Sequence, residues 1–208
     1  MTDDARPEAG LREFEEIYAS VGADLTRIPW AHLQPNPTLL SWLGRYDPAP
    51  GRALVIACGL GDDAEELARR GHRVTAFDLS PTAIGWCRRR FPASTVDYRV
   101  ADLLELPASW SRRYDLVVEI ATLQSLPPAQ RRAGMAAVAA TVRPRGRLLV
   151  RCLVREDDEP APSRPWPLSR SELAAFVDEG LREIETRDVP RTADGERRIE
   201  LTYERPPD

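Results

Sequence analysis

The chain has 208 residues, of which 29 are basic and 33 acidic, giving a net charge of −4. This length suits one domain with a full core and is too short for a cofactor domain plus a separate substrate domain. No basic stripe interleaved with aromatics and no apolar run of about 20 residues occurs, which argues against nucleic-acid and membrane partners. The acidic amino terminus is no signal peptide, so a cytoplasmic protein is expected.

Neither the cysteines nor the densest cationic run indicates a site. Cys58, Cys87 and Cys152 are scattered, without CxxC or zinc-ligand spacing, so neither a disulfide nor a metal is expected. The run Arg88–Arg90 is typical of a solvated helix end, where cations complement the helix dipole.

The first 49 residues predict a helical cap. One helical face of residues 7–21 collects the apolar side chains Leu11, Phe14, Ile17, Tyr18 and Val21. Pro35 and Pro37 then prevent a continuous helix before residues 38–46. Trp30 lies in this proline-framed segment and is either a lid over a ligand or an aromatic anchor packed on a helix.

Residues 53–82 predict a strand, a glycine turn, a helix and a second strand. Gly59 and Gly61 follow the first apolar run and permit a tight turn with close approach of a ligand. Gly71 is expected to end the helix. The second strand carries Asp78 at its carboxyl end, where an acid can accept both hydroxyls of a ribose. A nucleoside-bearing ligand is therefore expected.

The glycine spacing also fits a dinucleotide fingerprint, so charge must decide between the candidate cofactors. Asp62 and Asp63 lie where a pyrophosphate would bind, and at an effective dielectric near 20 each like-charge pair at ~4 Å costs about 4 kcal/mol. S-adenosylmethionine has no phosphate and carries cationic sulfonium and ammonium groups. We therefore predict S-adenosylmethionine rather than NAD or FAD.

Two later strands also carry acids near their ends. Residues 96–100 form a third strand followed by Asp102, which either meets an adenine amino group or only forms a turn. Residues 114–121 are nearly continuously apolar, typical of a central parallel strand, but Glu119 interrupts them. A carboxylate buried there needs a partner, either a cation or a helix terminus.

The remaining elements follow in order. They are a helix over 127–142, a turn over 144–146, a strand over 147–154, a helix over 169–180, and a hairpin of strands 181–189 and 197–203 turning at Asp194 and Gly195. Ser169 and Glu172 predict a capping box for the last helix. The proline-rich, acidic segment 155–169 is expected to be a loop over the strand ends, with Trp166 lining a substrate pocket or anchoring the loop.

Alternating β and α units closed by a hairpin, with glycines after the first strand and acids after the second and third, resemble the class I S-adenosylmethionine-dependent methyltransferases. The similarity covers roughly residues 50–205. It implies an α/β, Rossmann-like three-layer αβα sandwich whose seven-stranded, mostly parallel sheet has the order 3-2-1-4-5-7-6 with an antiparallel last strand. It also implies a single methyltransferase domain over residues 1–208, with 1–49 as cap or lid and 50–208 as core.

The resemblance assigns site residues one by one. Those expected to contact the cofactor are Trp30, Cys58, Gly59, Gly61, Asp63, Asp78, Leu79, Asp102, Leu103 and Glu119. Asp78 would hold the ribose hydroxyls, Asp102 would edge the adenine and Glu119 would lie near the methionine amino group. Many members carry an acid two residues before the first glycine, where this chain has Ala57, and Asp63 is expected to compensate. The substrate-side residues are expected to be Trp30, Gln124 and Trp166.

Within the class, the segments IPWAHLQPNP, CGLGDD and PSRPWPLSRSEL are together similar to the thiopurine S-methyltransferase and halide/thiol methyltransferase group. There a tryptophan matching Trp30 covers the cofactor. This similarity implies methyl transfer to a small molecule, a thiol or another soft nucleophile, by in-line displacement. The alternative is a small-molecule O- or N-methyltransferase.

A thiol acceptor needs no dedicated base, whereas an oxygen or nitrogen acceptor often does. The candidate bases are His32 and Glu119, while His72 is expected at the surface. The partner is expected to be a small-molecule acceptor, and the protein a monomer or homodimer. Two other functions stay open: a dinucleotide-dependent oxidoreductase, and a non-catalytic cofactor-binding partner of another enzyme.

Overall fold

The structure is a computed structural model that describes residues 7–160, 163–189 and 196–208, with side chains from Glu13 onward. The helices described are α1 (Pro7–Ser20), α2 (Pro37–Tyr46), α3 (Asp62–Arg69), α4 (Pro81–Arg90), α5 (Pro128–Thr141), α6 (Arg170–Leu173) and α7 (Ala175–Asp178). The strands are β1 (Arg52–Ile56), β2 (Arg73–Asp78), β3 (Asp97–Val100), β4 (Tyr114–Ile120), β5 (Val142–Leu153), β6 (Arg182–Val189) and β7 (Arg198–Glu204).

The strands form one seven-stranded sheet in the order β3-β2-β1-β4-β5-β7-β6. β2 pairs with β3, β1 with β4 and β4 with β5, all in parallel, whereas β7 runs antiparallel to both β5 and β6. The predicted fold class, strand order and antiparallel last strand are confirmed. The tip of the β6–β7 hairpin, where a turn at Asp194 and Gly195 was expected, lies outside the described residues.

The chain divides into two compact units. The first comprises the described residues of Met1–Pro50 and Ala57–Asp102, and the second those of Gly51–Ile56 and Leu103–Asp208. In the first unit α1 packs against α4, and Tyr18, Val21 and Ile28 form a buried cluster with Leu60 and Ala83. The predicted apolar face of the first helix is therefore confirmed for Tyr18 and Val21.

The second unit is built on the apolar strands. β4 is buried along most of its length, as predicted for a central parallel strand, and Val118 pairs with Val55 of β1 on one side and Leu149 of β5 on the other. At the antiparallel edge the rings of Phe176 and Tyr203 pack with centroids 5.0 Å apart.

The turn expected over residues 144–146 is wrong, because β5 begins at Val142 and passes through it. The register with β4 shifts between Tyr114 and Leu116, and Arg145 takes a positive φ of 62°. Turn-forming residues here make a bulge within the strand instead of ending it.

His72 is buried, with 5% of its surface exposed, so the expected surface position is wrong. It precedes the buried Val74 by two residues, and side chains two apart share a face of an extended chain. The capping box of Ser169 and Glu172 is confirmed, but the single helix expected after it divides at Ala174 into α6 and α7. Among the helices described, none combines the length and the apolarity needed to cross a bilayer.

Candidate functional site

Asp78 closes the glycine turn that follows β1. Its Oδ2 accepts a hydrogen bond from the Gly59 amide at 2.9 Å, and its Oδ1 accepts one from the Ser80 amide at 3.0 Å. Only 7% of the residue is exposed. Burial raises the pKa of Asp78, and the amide donors oppose that shift. The end of β2 and the glycine turn, both in the first unit, are thus held together by one carboxylate.

The glycines of the turn are required by both conformation and space. Gly59 and Gly61 have positive φ angles of 54° and 90°. A Cβ on Gly61 would lie 2.5 Å from the hydroxyl oxygen of Tyr98, which itself donates to Glu65 at 2.7 Å. Cys58, beside them, is a free thiol hydrogen-bonded to Cys87, and this hydrogen bond and burial raise the pKa of the Cys58 thiol.

Asp62 and Asp63, the first two residues of α3, both accept hydrogen bonds from other parts of the chain. Arg90 donates to both carboxylate oxygens of Asp62 at 2.7 Å, and also to the Leu60 carbonyl. The expected electrostatic repulsion from Asp62 is therefore wrong, because its charge is compensated, and Arg90 is not simply part of a solvated helix end. Asp63 accepts from the Asn36 amide at 2.6 Å, and burial raises its pKa to about 6.

Trp30 packs on α1 and remains 39% exposed. Its indole nitrogen donates to the Tyr18 hydroxyl at 2.9 Å, and it makes edge contacts with the rings of Phe14 and Tyr18. Burial first, and then the charge of Asp78, raise the pKa of Tyr18. Sequence reasoning placed Tyr18 only in the core, since its apolar helical face gave no sign of a polar neighbour.

The other predicted residues of the first unit lie at the strand ends. Leu79 and Asp102 are half-buried, and the amide of Ala101 donates to the Asp78 carbonyl at 3.1 Å, which joins the ends of β2 and β3. His32 is exposed. The first unit thus brings together the glycine turn, Asp78 and the residue that precedes Asp102.

Glu119 lies near the end of β4 in the second unit and is fully buried. Its Oε1 accepts from the amides of Thr122 and Leu123 at 2.7 and 3.0 Å, so a short helical turn supplies the predicted partner. Its Oε2 is buried without a hydrogen-bond partner among the described residues. Burial raises the pKa of Glu119 to about 7, against these donors.

Gln124 and Trp166 are joined through the backbone in the second unit. The Trp166 amide donates to the Gln124 carbonyl at 2.7 Å, and the Gln124 side-chain oxygen accepts from the Leu153 amide at 2.7 Å. Arg131, buried and missed by sequence reasoning, donates to the Trp166 carbonyl at 2.8 Å and to Glu172 at 2.6 Å. The loop that carries Trp166 is thus fastened to α5 and to the start of α6.

A cavity of about 350 Å³ opens at the end of β5 in the same unit. It is lined by four apolar and four charged residues, Leu153, Val154, Pro160 and Pro167 with Arg155, Glu159, Glu196 and Arg197. Leu103 is buried elsewhere in this unit. No group of three or more His, Cys, Asp or Glu side chains in the described parts of the chain is placed to hold a metal ion.

Residues 53–146, which span the glycine turn, Asp78 and Glu119, match the family described as a methyltransferase domain. Over these residues, which make up somewhat less than half of the chain, the sequence is similar to a methyltransferase domain. This finding agrees with the expected resemblance at the level of a methyltransferase domain.

The chain is similar in sequence to two curated proteins named ubiquinone biosynthesis O-methyltransferase. That of Xanthomonas axonopodis pv. citri (strain 306) is 34% identical over 123 residues, which are 58% of this chain and 51% of the relative. That of Aromatoleum aromaticum is 37% identical over 117 residues, 54% of this chain and 49% of the relative. The chain therefore spans about half the length of the curated relatives it matches.

Among solved structures, Burkholderia thailandensis 1,6-didemethyltoxoflavin-N1-methyltransferase, with bound 1,6-didemethyltoxoflavin and S-adenosylhomocysteine, matches with a TM-score of 0.76. The match covers 99% of this chain and 93% of that one at 20% identity. At this identity the likeness shows the fold, which is the Rossmann-like arrangement of the methyltransferase domain.

Proposed function

We propose that this protein transfers the methyl group of S-adenosylmethionine to a small-molecule nucleophile. The observation that carries the proposal is the methyltransferase-domain match over residues 53–146, because the same segment contains the turn that Asp78 closes. The proposal includes one methyltransferase domain over residues 1–208, with 1–49 as a cap, in a cytoplasmic monomer or homodimer.

The proposed cofactor residues are those named from the sequence, and their surroundings support several of the roles. Asp78 keeps lone pairs beyond those bonded to Gly59 and Ser80, so it can accept ribose hydroxyls. The free Oε2 of Glu119 suits an ammonium group, which would also compensate its buried charge. Asp62 is paired with Arg90, whereas no described residue forms an ion pair with Asp63, so Asp63 is the acid of the turn that we propose for the cationic cofactor.

The proposed acceptor region is the cavity at the end of β5. Two residues of its wall connect it to the predicted substrate residues. Pro167 follows Trp166 in the chain, and the amide of Leu153 donates a hydrogen bond to the Gln124 side chain. The wall of the cavity combines apolar residues with two arginines and two glutamates, which suits a small acceptor that carries polar groups on an apolar body. The names of the curated relatives favour oxygen as the acceptor atom. The thiol acceptor and the thiopurine or halide/thiol grouping remain the alternative.

When bound, S-adenosylmethionine supplies a methyl group already activated by its sulfonium. The chain's residues then chiefly have to align the acceptor opposite the leaving sulfur and exclude water, which can be worth ~7 to 11 kcal/mol. A hydroxyl acceptor also has to lose a proton. Of the two candidate bases, Glu119 is fully buried near a strand end, whereas His32 is exposed. We assign Glu119 to the cofactor and keep His32 as the candidate base.

Calorimetry and product assays test the proposal. Titration of the full chain with S-adenosylhomocysteine should give measurable heat, and labelled methyl transfer should follow with phenols rather than with thiols or halides. His32→Ala should lower kcat for phenols without changing the affinity for S-adenosylhomocysteine. Absence of binding would refute the proposal, and binding without turnover on any acceptor would favour the non-catalytic alternative.

A further inference from the structure

Helix α1 is fastened to the residues that follow Asp78. The carboxylate of Glu15 accepts a hydrogen bond from the Ser80 hydroxyl at 2.5 Å, another from the Thr82 hydroxyl, and a longer one from the Thr82 amide. Although partial burial opposes it, these donors hold the pKa of Glu15 below its usual value. Glu15 is therefore a charged cap for the amino end of α4, supplied by a helix 65 residues away in the chain.

Ser80 connects this contact to the proposed ribose carboxylate. Its backbone amide donates to Asp78, while its hydroxyl donates to Glu15 and also accepts from the Ala83 amide. The two carboxylates are thus joined through one residue. Any movement of Glu15 changes the support of the segment that orients Asp78.

The same helix covers the glycine turn. Tyr18, one helical turn beyond Glu15, is 3% exposed, and its hydroxyl lies 3.2 Å from the point where a Cβ on Gly59 would stand. Trp30 donates to that hydroxyl. The Asp78 carboxylate is therefore enclosed on the side of α1, because a ligand hydroxyl that approaches between Gly59 and Tyr18 meets the Tyr18 side chain.

We infer that Glu15 is a positioning residue of the cofactor site, which latches α1 over the Asp78 turn so that α1 must undock whenever the cofactor enters or leaves. The inference rests on the proposed function. In this arrangement Ser80 and Thr82 hold Glu15 by hydrogen bonds. Tyr18 and Trp30 form the surface that covers the Asp78 turn.

The test is the rate of exchange of S-adenosylhomocysteine, followed by tryptophan fluorescence in a stopped-flow instrument with the full chain. In Glu15→Ala both the association and the dissociation rate should rise at least tenfold, because the variant loses the hydrogen bonds from Ser80 and Thr82, and one charge-assisted bond already corresponds to about tenfold. Thr82→Val, which removes one donor at nearly constant volume, should produce a smaller rise in both. Hydrogen exchange of the amides of residues 14–20 should quicken in parallel.

Glu16→Ala is the matched control, since Glu16 is the next residue of the same helix and is exposed. It should leave both rates unchanged. A purely structural role of Glu15 would lower the Tm and leave the exchange rates alone, and that result in Glu15→Ala and Thr82→Val overturns the latch. No binding to the wild type refutes the proposed function itself, whereas binding with unchanged variant rates refutes only the latch.

Discussion

The carboxylate of Asp78 accepts hydrogen bonds that hold the glycine turn, and it is also the proposed acceptor for the ribose hydroxyls. Asp78→Ala should weaken binding of S-adenosylhomocysteine at least tenfold, since hydrogen bonds to a charged acceptor contribute about 1.5–3 kcal/mol. It should also lower the free energy of unfolding by about 1–3 kcal/mol, because the Gly59 and Ser80 amides lose their acceptor. Calorimetry and urea unfolding measure the two effects. Asp97→Ala, at an exposed ion pair, is the control, and unchanged affinity in Asp78→Ala would refute the ribose assignment.

Glu119 should make stability depend on pH. Its folded pKa of about 7 lies above its ordinary 4.5, so the stability linked to its protonated form is present below the unfolded pKa and lost as pH rises through about 7. The loss is about 3 kcal/mol at most. Glu119→Gln, which keeps an acceptor for Thr122 and Leu123, should flatten the stability profile from pH 5 to 8 in urea unfolding. Glu16→Gln should retain the wild-type profile, and a Glu119→Gln curve parallel to wild type would contradict the assignment.

The glycine turn has a geometry that tolerates little change at Gly61. Gly61→Ala should destabilise the protein by more than the ~1–3 kcal/mol typical of a left-handed non-glycine residue, since the added methyl also meets the Tyr98 hydroxyl. Gly44→Ala is the matched control, because Gly44 lies in α2 with open space around it, and it should stabilise by up to about 1 kcal/mol. Chemical denaturation should therefore show a lower free energy of unfolding for Gly61→Ala and an equal or higher one for Gly44→Ala. A neutral Gly61→Ala would show that the turn relaxes.

The loop after β5 should depend on one buried arginine. Arg131→Leu leaves the Trp166 carbonyl without its donor and Glu172 without one of its two arginine partners, which should cost about 1–3 kcal/mol. Arg132→Leu removes a neighbouring exposed pair with Asp178 and should change stability by less than about 1 kcal/mol. Thermal unfolding compares the two. Equal effects would show that the loop is held by other contacts.

For the whole molecule, ligand binding distinguishes the candidate cofactors. At about 100 times its Kd, S-adenosylhomocysteine should stabilise the fold by about 2.7 kcal/mol and raise the Tm by roughly 5–10 °C. NADH at the same concentration should cause no shift. The reverse pattern would restore the oxidoreductase hypothesis, against which Asp63 remains as an electrostatic argument although Asp62 is paired with Arg90.

Most of the fold was predictable because its signals are local. Ser80 and Pro81 mark the start of α4, the capping box marks α6, and the apolar run around Val118 marks a central strand. Each signal acts through backbone hydrogen bonds or side-chain direction within a few residues. The turn predicted at residues 144–146 was wrong because the local residue types do not show the pairing with β4. In the structure these residues form a bulge within a strand that pairs with β4.

The sequence by itself determined the order of helices and strands and the placement of Asp78 and Glu119 near strand ends, since periodicity and turn chemistry suffice for both. Only the tertiary structure decided what each charged or polar side chain meets. Asp62 meets Arg90 across 28 residues, Glu15 meets Ser80 across 65, and His72 turns inward. Such partners depend on how distant segments pack, and a charge carries the same local signal whether it ends in solvent, in an ion pair or over a ligand site.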